Sequence, residues 1–161
     1  MAKGHVTHAE HDGVHVLRYF GRVDYMAACG IQKFLDSLVE QGELSGLVFD
    51  LTDAEALDST NLGLLARMRE RVRARRLAES LIVSRNEDIN DVLYSMGFDR
   101  IFQIVTDAPA ASKDGSDPID GAATSQEELR KTMLDAHRAL LELSDRGRAE
   151  FQDVVACLEK Q

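Results

Sequence analysis

Two short, unbroken apolar runs, GLVFDL (residues 46–51) and SLIVS (residues 80–84), constrain this chain most. Each has the length of a strand, and neither alternates apolar with polar residues as a half-solvated strand does. Continuous runs of this kind belong to strands covered on both faces. Between them Leu62, Leu65, Met68 and Val72 recur at helical spacing, so the chain leaves the sheet, forms a helix and returns. Such crossovers imply a mostly parallel or mixed sheet with helices packed on it.

The alternation extends in both directions. GVHVLRYFG (13–21) places Val14, Val16, Leu17, Tyr19 and Phe20 in a strand that Gly21 is expected to stop. Ala28, Ile31, Leu35, Leu38 and Val39 then keep helical spacing as far as Gly42. NEDINDVLYSMG (86–97) reads as a short helix closed by Gly97, and RIFQIV (100–105) as the last strand. A weaker strand, GHVTHAE (4–10), suits an antiparallel partner at the start. The expectation is an α/β domain over residues 1–106, with a mixed sheet of about five strands and helices chiefly on one face.

Both prolines, Pro109 and Pro118, fall in TDAPAASKDGSDPIDGAA (106–123), which has almost nothing to bury. That composition predicts a flexible linker over 107–123. Residues 124–161 read as a helical tail. It opens with two overlapping capping boxes, Thr124 to Glu127 and Ser125 to Glu128. Leu129, Met133, Ala136, Leu140 and Leu143 form a stripe, and Phe151, Val154, Val155 and Leu158 resume it after SDRG. The tail is one long helix interrupted near Gly147, or a helical hairpin. Its stripe covers the first domain, a second copy through self-association, or a partner.

With 44% apolar residues in 161, the chain can build a real core, and its net charge of −9 argues against a nucleic-acid binder. No apolar run reaches the roughly 18 to 20 residues of a membrane span. The N-terminal stretch has no apolar segment of the secretory kind, and Cys29 and Cys157 form no paired framework, so a reducing cytoplasm is expected.

The most informative stretch is ALDSTNLGLLARM (56–68). Asp58, Ser59, Thr60 and Asn61 all favour helix starts, and Ser59 sits in the first turn, where free N–H groups and the helix dipole favour an oxygen acceptor or an anion. One reading makes Ser59 an N-cap, which contributes about 1 kcal/mol relative to Ala. The other makes it a phosphorylation site, since a helix N-terminus accommodates phosphate. Asp53, Glu55 and Asp58 make the loop acidic, so a further charge of about −1.5 to −2 there is a strong local change.

LVFDLTDAEALDSTNLGLLARM resembles the central signature of STAS-domain anti-sigma factor antagonists, in which an Asp-Ser-Ser/Thr-Gly-Leu-Gly element opens the second helix. FGRVDYMAA is similar to the family's Gly-x-x-Asp turn before the first helix. LYSMGFDRIFQIV is similar to its Ser-Gly-Phe/Leu helix end and last strand. The likeness covers residues 5 to about 106, in particular to bacterial antagonists that carry a C-terminal helical extension. The resemblance implies a non-catalytic, phosphorylation-controlled binding switch that needs no cofactor. Its partners would be an anti-sigma factor, a serine kinase and a phosphatase. It implies Ser59 as the modified residue with Thr60 as the alternate, and Asp24, Asp58, Ser59, Thr60 and Asn61 as the partner-binding set. Asn61 stands where the family usually has Gly. The alternative is a signalling scaffold or sensor whose tail recruits a different protein.

Other constellations carry less. The arginine run RMRERVRARR (67–76) is a solvated helix face or a docking stripe for an acidic partner. On a strand, His5, His8 and His11 alternate faces, so they do not converge on a metal. Ser59 lacks a Gly-x-Ser-x-Gly context, and the only later histidine, His137, lies in the tail. Asp50 ends a buried strand as a phosphoacceptor would, but the second acidic cluster and the lysine of that chemistry are missing.

Overall fold

β3 (Gly46–Leu57) is the axis of the sheet. In this computed structural model, which describes residues 4–77, 79–107, 117–121 and 124–161, β3 pairs in parallel with β2 (Val14–Val23) and with β4 (Glu79–Val83). β5 (Gln103–Val105) follows β4 in parallel, and β1 (His5–His11) joins β2 as the expected antiparallel partner. The two-residue β6 (Asp117–Pro118) pairs with β1, giving the order β5-β4-β3-β2-β1-β6. β6 falls within the segment expected as linker, of which residues 108–116 and 122–123 lie outside the described residues.

The apolar runs do what their composition demands. Leu47, Phe49 and Leu51 of β3 are fully buried with Leu17, Tyr19 and Ile82 under the helices. Val16, Val48 and Val83 point the other way and form a smaller cluster with Val14, Leu81 and Val105. Helices α1 (Tyr25–Gln41) and α2 (Ser59–Ala74) cover the first face, and α3 (Glu87–Ser95) closes one end against β3.

Three boundaries differ from expectation. The last strand, expected over 100–105, is only β5 (Gln103–Val105), because Phe98–Arg100 form a 3-10 turn before it. β2 does not stop at Gly21 but runs to Val23, with register shifts on either side of that residue. Gly21 has φ +69, a conformation open to glycine, and so bends the strand without ending it. TDAEAL, which carries the Asp53 and Glu55 expected in an acidic loop, is the second half of β3 and stays paired to β2 as far as Leu57. Ala54 is buried there while Asp53 and Glu55 face solvent. The long strand delivers the chain to the start of α2 with one residue, Asp58, between them.

The tail is a helical hairpin of α4 (Gln126–Leu143) and α5 (Asp145–Glu159). Ser125 caps α4, accepting from the Glu128 amide at 3.1 Å. Ser144 breaks the helix with extended backbone and caps α5 through Gly147 N–H at 3.0 Å. In the structure the apolar stripe covers the first domain. Ala136 and Leu140 are fully buried in the main core, and Leu134, Val155 and Leu158 join the two helices to each other. Burying Leu140 alone contributes about 2 kcal/mol. α2 is therefore covered on both sides, by the sheet and by α4, which explains why Leu62, Leu64, Leu65, Ala66 and Met68 are all buried.

Candidate functional site

The N-termini of α1 and α2 lie side by side, and each is capped by an aspartate. Asp24 accepts from the Met26 amide at 3.0 Å, and Asp58 accepts from the Asn61 amide at 3.0 Å. The Asn61 side chain holds the two caps together. Its Nδ2 donates to Asp58 Oδ1 at 2.9 Å and to the Asp24 carbonyl at 2.9 Å, with Val23 O at 3.3 Å. The Asp58 amide also donates to Val23 O at 3.3 Å. Buried polar groups need such partners, and a glycine at position 61 would leave both carbonyls without this donor.

Because Asp58 is the cap, Ser59 is the first residue of α2, and its hydroxyl is not needed for capping. That corrects the reading of Ser59 as the N-cap. The hydroxyl instead meets His137 of α4, with Oγ and Nε2 2.8 Å apart. Nδ1 of the same ring lies 2.6 Å from the Met133 carbonyl, which can only accept, so Nδ1 carries a proton. In the neutral ring Nε2 is then the acceptor, and Ser59 O–H donates to it. The imidazole is 3% exposed and sits edge-on to Phe151 at 5.4 Å between centroids.

The five expected site residues therefore divide by position. Asp24 is exposed, and Asp58 and Ser59 are half-buried at the rim. Thr60 and Asn61 are 2% and 0% exposed, so in this structure their side chains lie beneath the rim. Asn61 shapes the rim from below through Asp58 and Asp24. Two exposed apolar side chains that sequence reasoning missed, Tyr25 and Met26, flank Asp24. The third omission, His137, carried no local signal.

The remaining constellations resolve into packing. Arg18 bridges Asp53 at 2.8 Å and lies 3.5 Å from buried Asp50, whose other oxygen accepts from Thr52 N–H at 2.9 Å. Four of the six arginines of the run tie α2 to its neighbours, while Arg73 and Arg76 are exposed. Arg67 reaches Gln32 and Asp135, Arg69 the Ile101 carbonyl, Arg71 Asp36, and Arg75 the Val39 carbonyl. His5 stacks on Phe20, while His8 shares a 2.9 Å hydrogen bond with His15. Burial and then the neighbouring His15 hold His8 below the usual histidine range, against weaker opposing pulls from Glu10 and Asp117. Among the described residues, no helix is long and apolar enough to cross a membrane.

Comparison with known proteins places this arrangement. The chain is similar to the anti-sigma-F factor antagonist RsfB of Mycobacterium tuberculosis, at 29% identity over 102 residues, 62% of this chain and 79% of that protein. Its fold matches the crystal structure of an anti-sigma factor antagonist from Mycobacterium paratuberculosis (TM-score 0.58, 24% identity, 65% of this chain and 87% of that one). It also matches the anti-sigma factor antagonist SpoIIAA in its unphosphorylated form (TM-score 0.54, 17% identity, 64% and 87%). The Bacillus SpoIIAA structure in the phosphorylated form matches equally well (TM-score 0.54, 16% identity, 63% and 92%). The STAS domain profile covers residues 5–111, stopping short of α4 and α5. On that match, over more than half of its length, the chain belongs to the STAS domain family.

Proposed function

We propose that this protein is an anti-sigma factor antagonist: a cytoplasmic, non-catalytic binding switch controlled by phosphorylation of Ser59. In its unmodified form the rim of Asp24, Tyr25, Met26, Asp58 and Ser59 docks an anti-sigma factor, which then releases its sigma factor. A serine kinase adds the phosphate and a phosphatase removes it. The names of the similar proteins support the partner class, and the existence of a phosphorylated form of one structural neighbour supports the chemistry.

One observation carries the residue assignment. Asp58 takes over the cap, so Ser59 is at the mouth of α2 with a hydroxyl that the helix does not need. A phosphate there adds about −1.5 to −2 charge to a rim already lined by two aspartates. An interface placed over it loses about 2 to 5 kcal/mol, because a buried rim must now desolvate an unpaired dianion.

The test is phosphate mapping. The protein is incubated with cell extract and ATP, and the modified residue is located by mass spectrometry. Phosphate on Ser59 that disappears in Ser59→Ala is the expected result. Modification elsewhere, or modification that survives the substitution, overturns the assignment.

A further inference from the structure

The α4–α5 hairpin lies outside the region matched by the family profile, yet it sits on the residue proposed for modification. The contact follows one face of α2. Ser59 meets His137, and four residues on, Gly63 passes so close to α4 that a Cβ at that position would lie 2.2 Å from the Ala136 carbonyl oxygen. Another four residues on, Arg67 bridges Asp135 at 3.3 Å. The spacing is that of a single helix face. An open cleft of about 440 Å³ runs alongside these contacts and reaches Glu70 and Glu142. On the α1 side the anchors are a 3.4 Å contact from Cys29 Sγ to Thr132 Oγ1 and a surface pair of Lys33 with Glu128 at 3.6 Å. The hairpin thus reads as a helix pair pressed onto the domain outside the matched region, closest at Ser59 and Gly63.

We propose that the hairpin is a reversible lid on α2, and that its seating and the phosphorylation of Ser59 exclude each other. This inference rests on Ser59 being the modified residue. The seated imidazole occupies the direction in which the hydroxyl donates. It cannot turn aside without breaking its Nδ1–H bond to Met133 O and leaving its place against Phe151. A phosphate on Oγ needs room where the ring lies and brings negative charge beside Asp58. The kinase therefore acts on the lid-open form, and the phosphate holds the lid open. Opening uncovers the Ser59–Gly63–Arg67 face of α2 together with Ala136 and Leu140 on the hairpin. The modified protein thereby gains a partly apolar surface that the unmodified one hides.

The Cys29–Thr132 contact provides the test. Thr132→Cys combined with Cys157→Ser, in the full chain, places two thiols where Cys29 and Thr132 now touch, and only a seated lid can join them. The equilibrium between this disulfide and its two thiols, in a buffer of reduced and oxidised glutathione, is compared between chains carrying serine and phosphoserine at position 59, the latter installed during synthesis. The lid predicts that phosphoserine lowers the equilibrium constant about tenfold or more, the consequence of losing a buried hydrogen bond and its ring seat. An equal or higher constant overturns the proposal. Hydrogen exchange of the same pair without the cysteine changes gives an independent reading. Amides of α4 should exchange about tenfold faster with phosphoserine while those of β2 and β3 hold, and unchanged exchange in α4 overturns the lid. Neither measurement involves a kinase or an anti-sigma factor. If phosphate mapping fails while the lid responds, Ser59 loses its place as the natural switch and the mechanical coupling stands. If mapping succeeds and the lid does not respond, the coupling alone is lost.

Discussion

Ser59 Oγ and His137 Nε2 lie 2.8 Å apart across 78 residues of sequence, joining the first turn of α2 to the middle of α4. The residue proposed to carry the phosphate is therefore also a fastening of the tail. Its hydroxyl is free for that contact because Asp58, and not Ser59, caps the helix. Three local facts make the arrangement: a long β3 that ends one residue before α2, a carboxylate cap, and a histidine on a helix pressed against them.

A double-mutant cycle measures that fastening. Ser59→Ala leaves His137 Nε2 buried without a donor, which should cost about 1 to 2 kcal/mol in chemical denaturation. His137→Ala costs more, since it also empties the ring site, and the two together should show a coupling of about 1 kcal/mol. Strictly additive effects would mean the hydrogen bond does not form in solution.

Asn61 offers a sharper stability test. Replacing it with Gly, the residue the family motif usually has there, removes the donors that hold Asp58 and Asp24 O together and places a flexible residue in the first turn of α2. The expected loss is about 2 to 3 kcal/mol. Asn61→Asp should do no better, because a carboxylate cannot donate to either carbonyl. A neutral outcome for Asn61→Gly would show that the cap pair holds without its bridge.

Much of this fold is legible in the residues themselves. GLVFDL and SLIVS fix two sheet strands buried on both faces, and Leu62, Leu65, Met68 and Val72 fix the helix between them. The polar half of β3 is not legible, because Asp53, Ala54 and Glu55 are poor strand formers and only pairing to β2 keeps them extended. Nor does local sequence place His137, since its partner is set by how a hairpin docks. The nearest signal is the small residue Gly63, four positions after Ser59 on the same face of α2, which marks a close approach by something. Helix α2 is apolar on more than one side, and that also asks for a second cover beyond the sheet.

Gly63 supports a further prediction. Gly63→Ala drives a methyl group into the Ala136 carbonyl, and overpacking of this kind costs about 1 to 3 kcal/mol. Because the strain is relieved by moving α4 away, the effect should concentrate in the hairpin. Faster hydrogen exchange in α4 and α5 with unchanged exchange in β2 and β3 is expected. Uniform loss of protection across the domain would contradict a separable hairpin.

Acid should weaken the β1–β2 end of the sheet. Burial and His15 hold His8 below the ordinary histidine value of about 6.5, so the unfolded chain binds more protons than the folded one just below that pH. Stability should then be full above about pH 6.5 and decline as the pH falls toward the lowered folded value. Thermal midpoints between about pH 7.5 and about pH 5.5 should track this decline, and His8→Gln should flatten the slope. An unchanged slope in that variant would assign the acid sensitivity to other groups.

The central claim is that charge at Ser59 decides which protein stays bound. Pull-downs from cell extract with wild type, Ser59→Ala and Ser59→Asp, compared by quantitative mass spectrometry, test it most directly. The account predicts an anti-sigma factor retained by wild type and Ser59→Ala and depleted about thirtyfold or more with Ser59→Asp, the low end of the expected loss. The same partners at the same abundance on all three baits would contradict it.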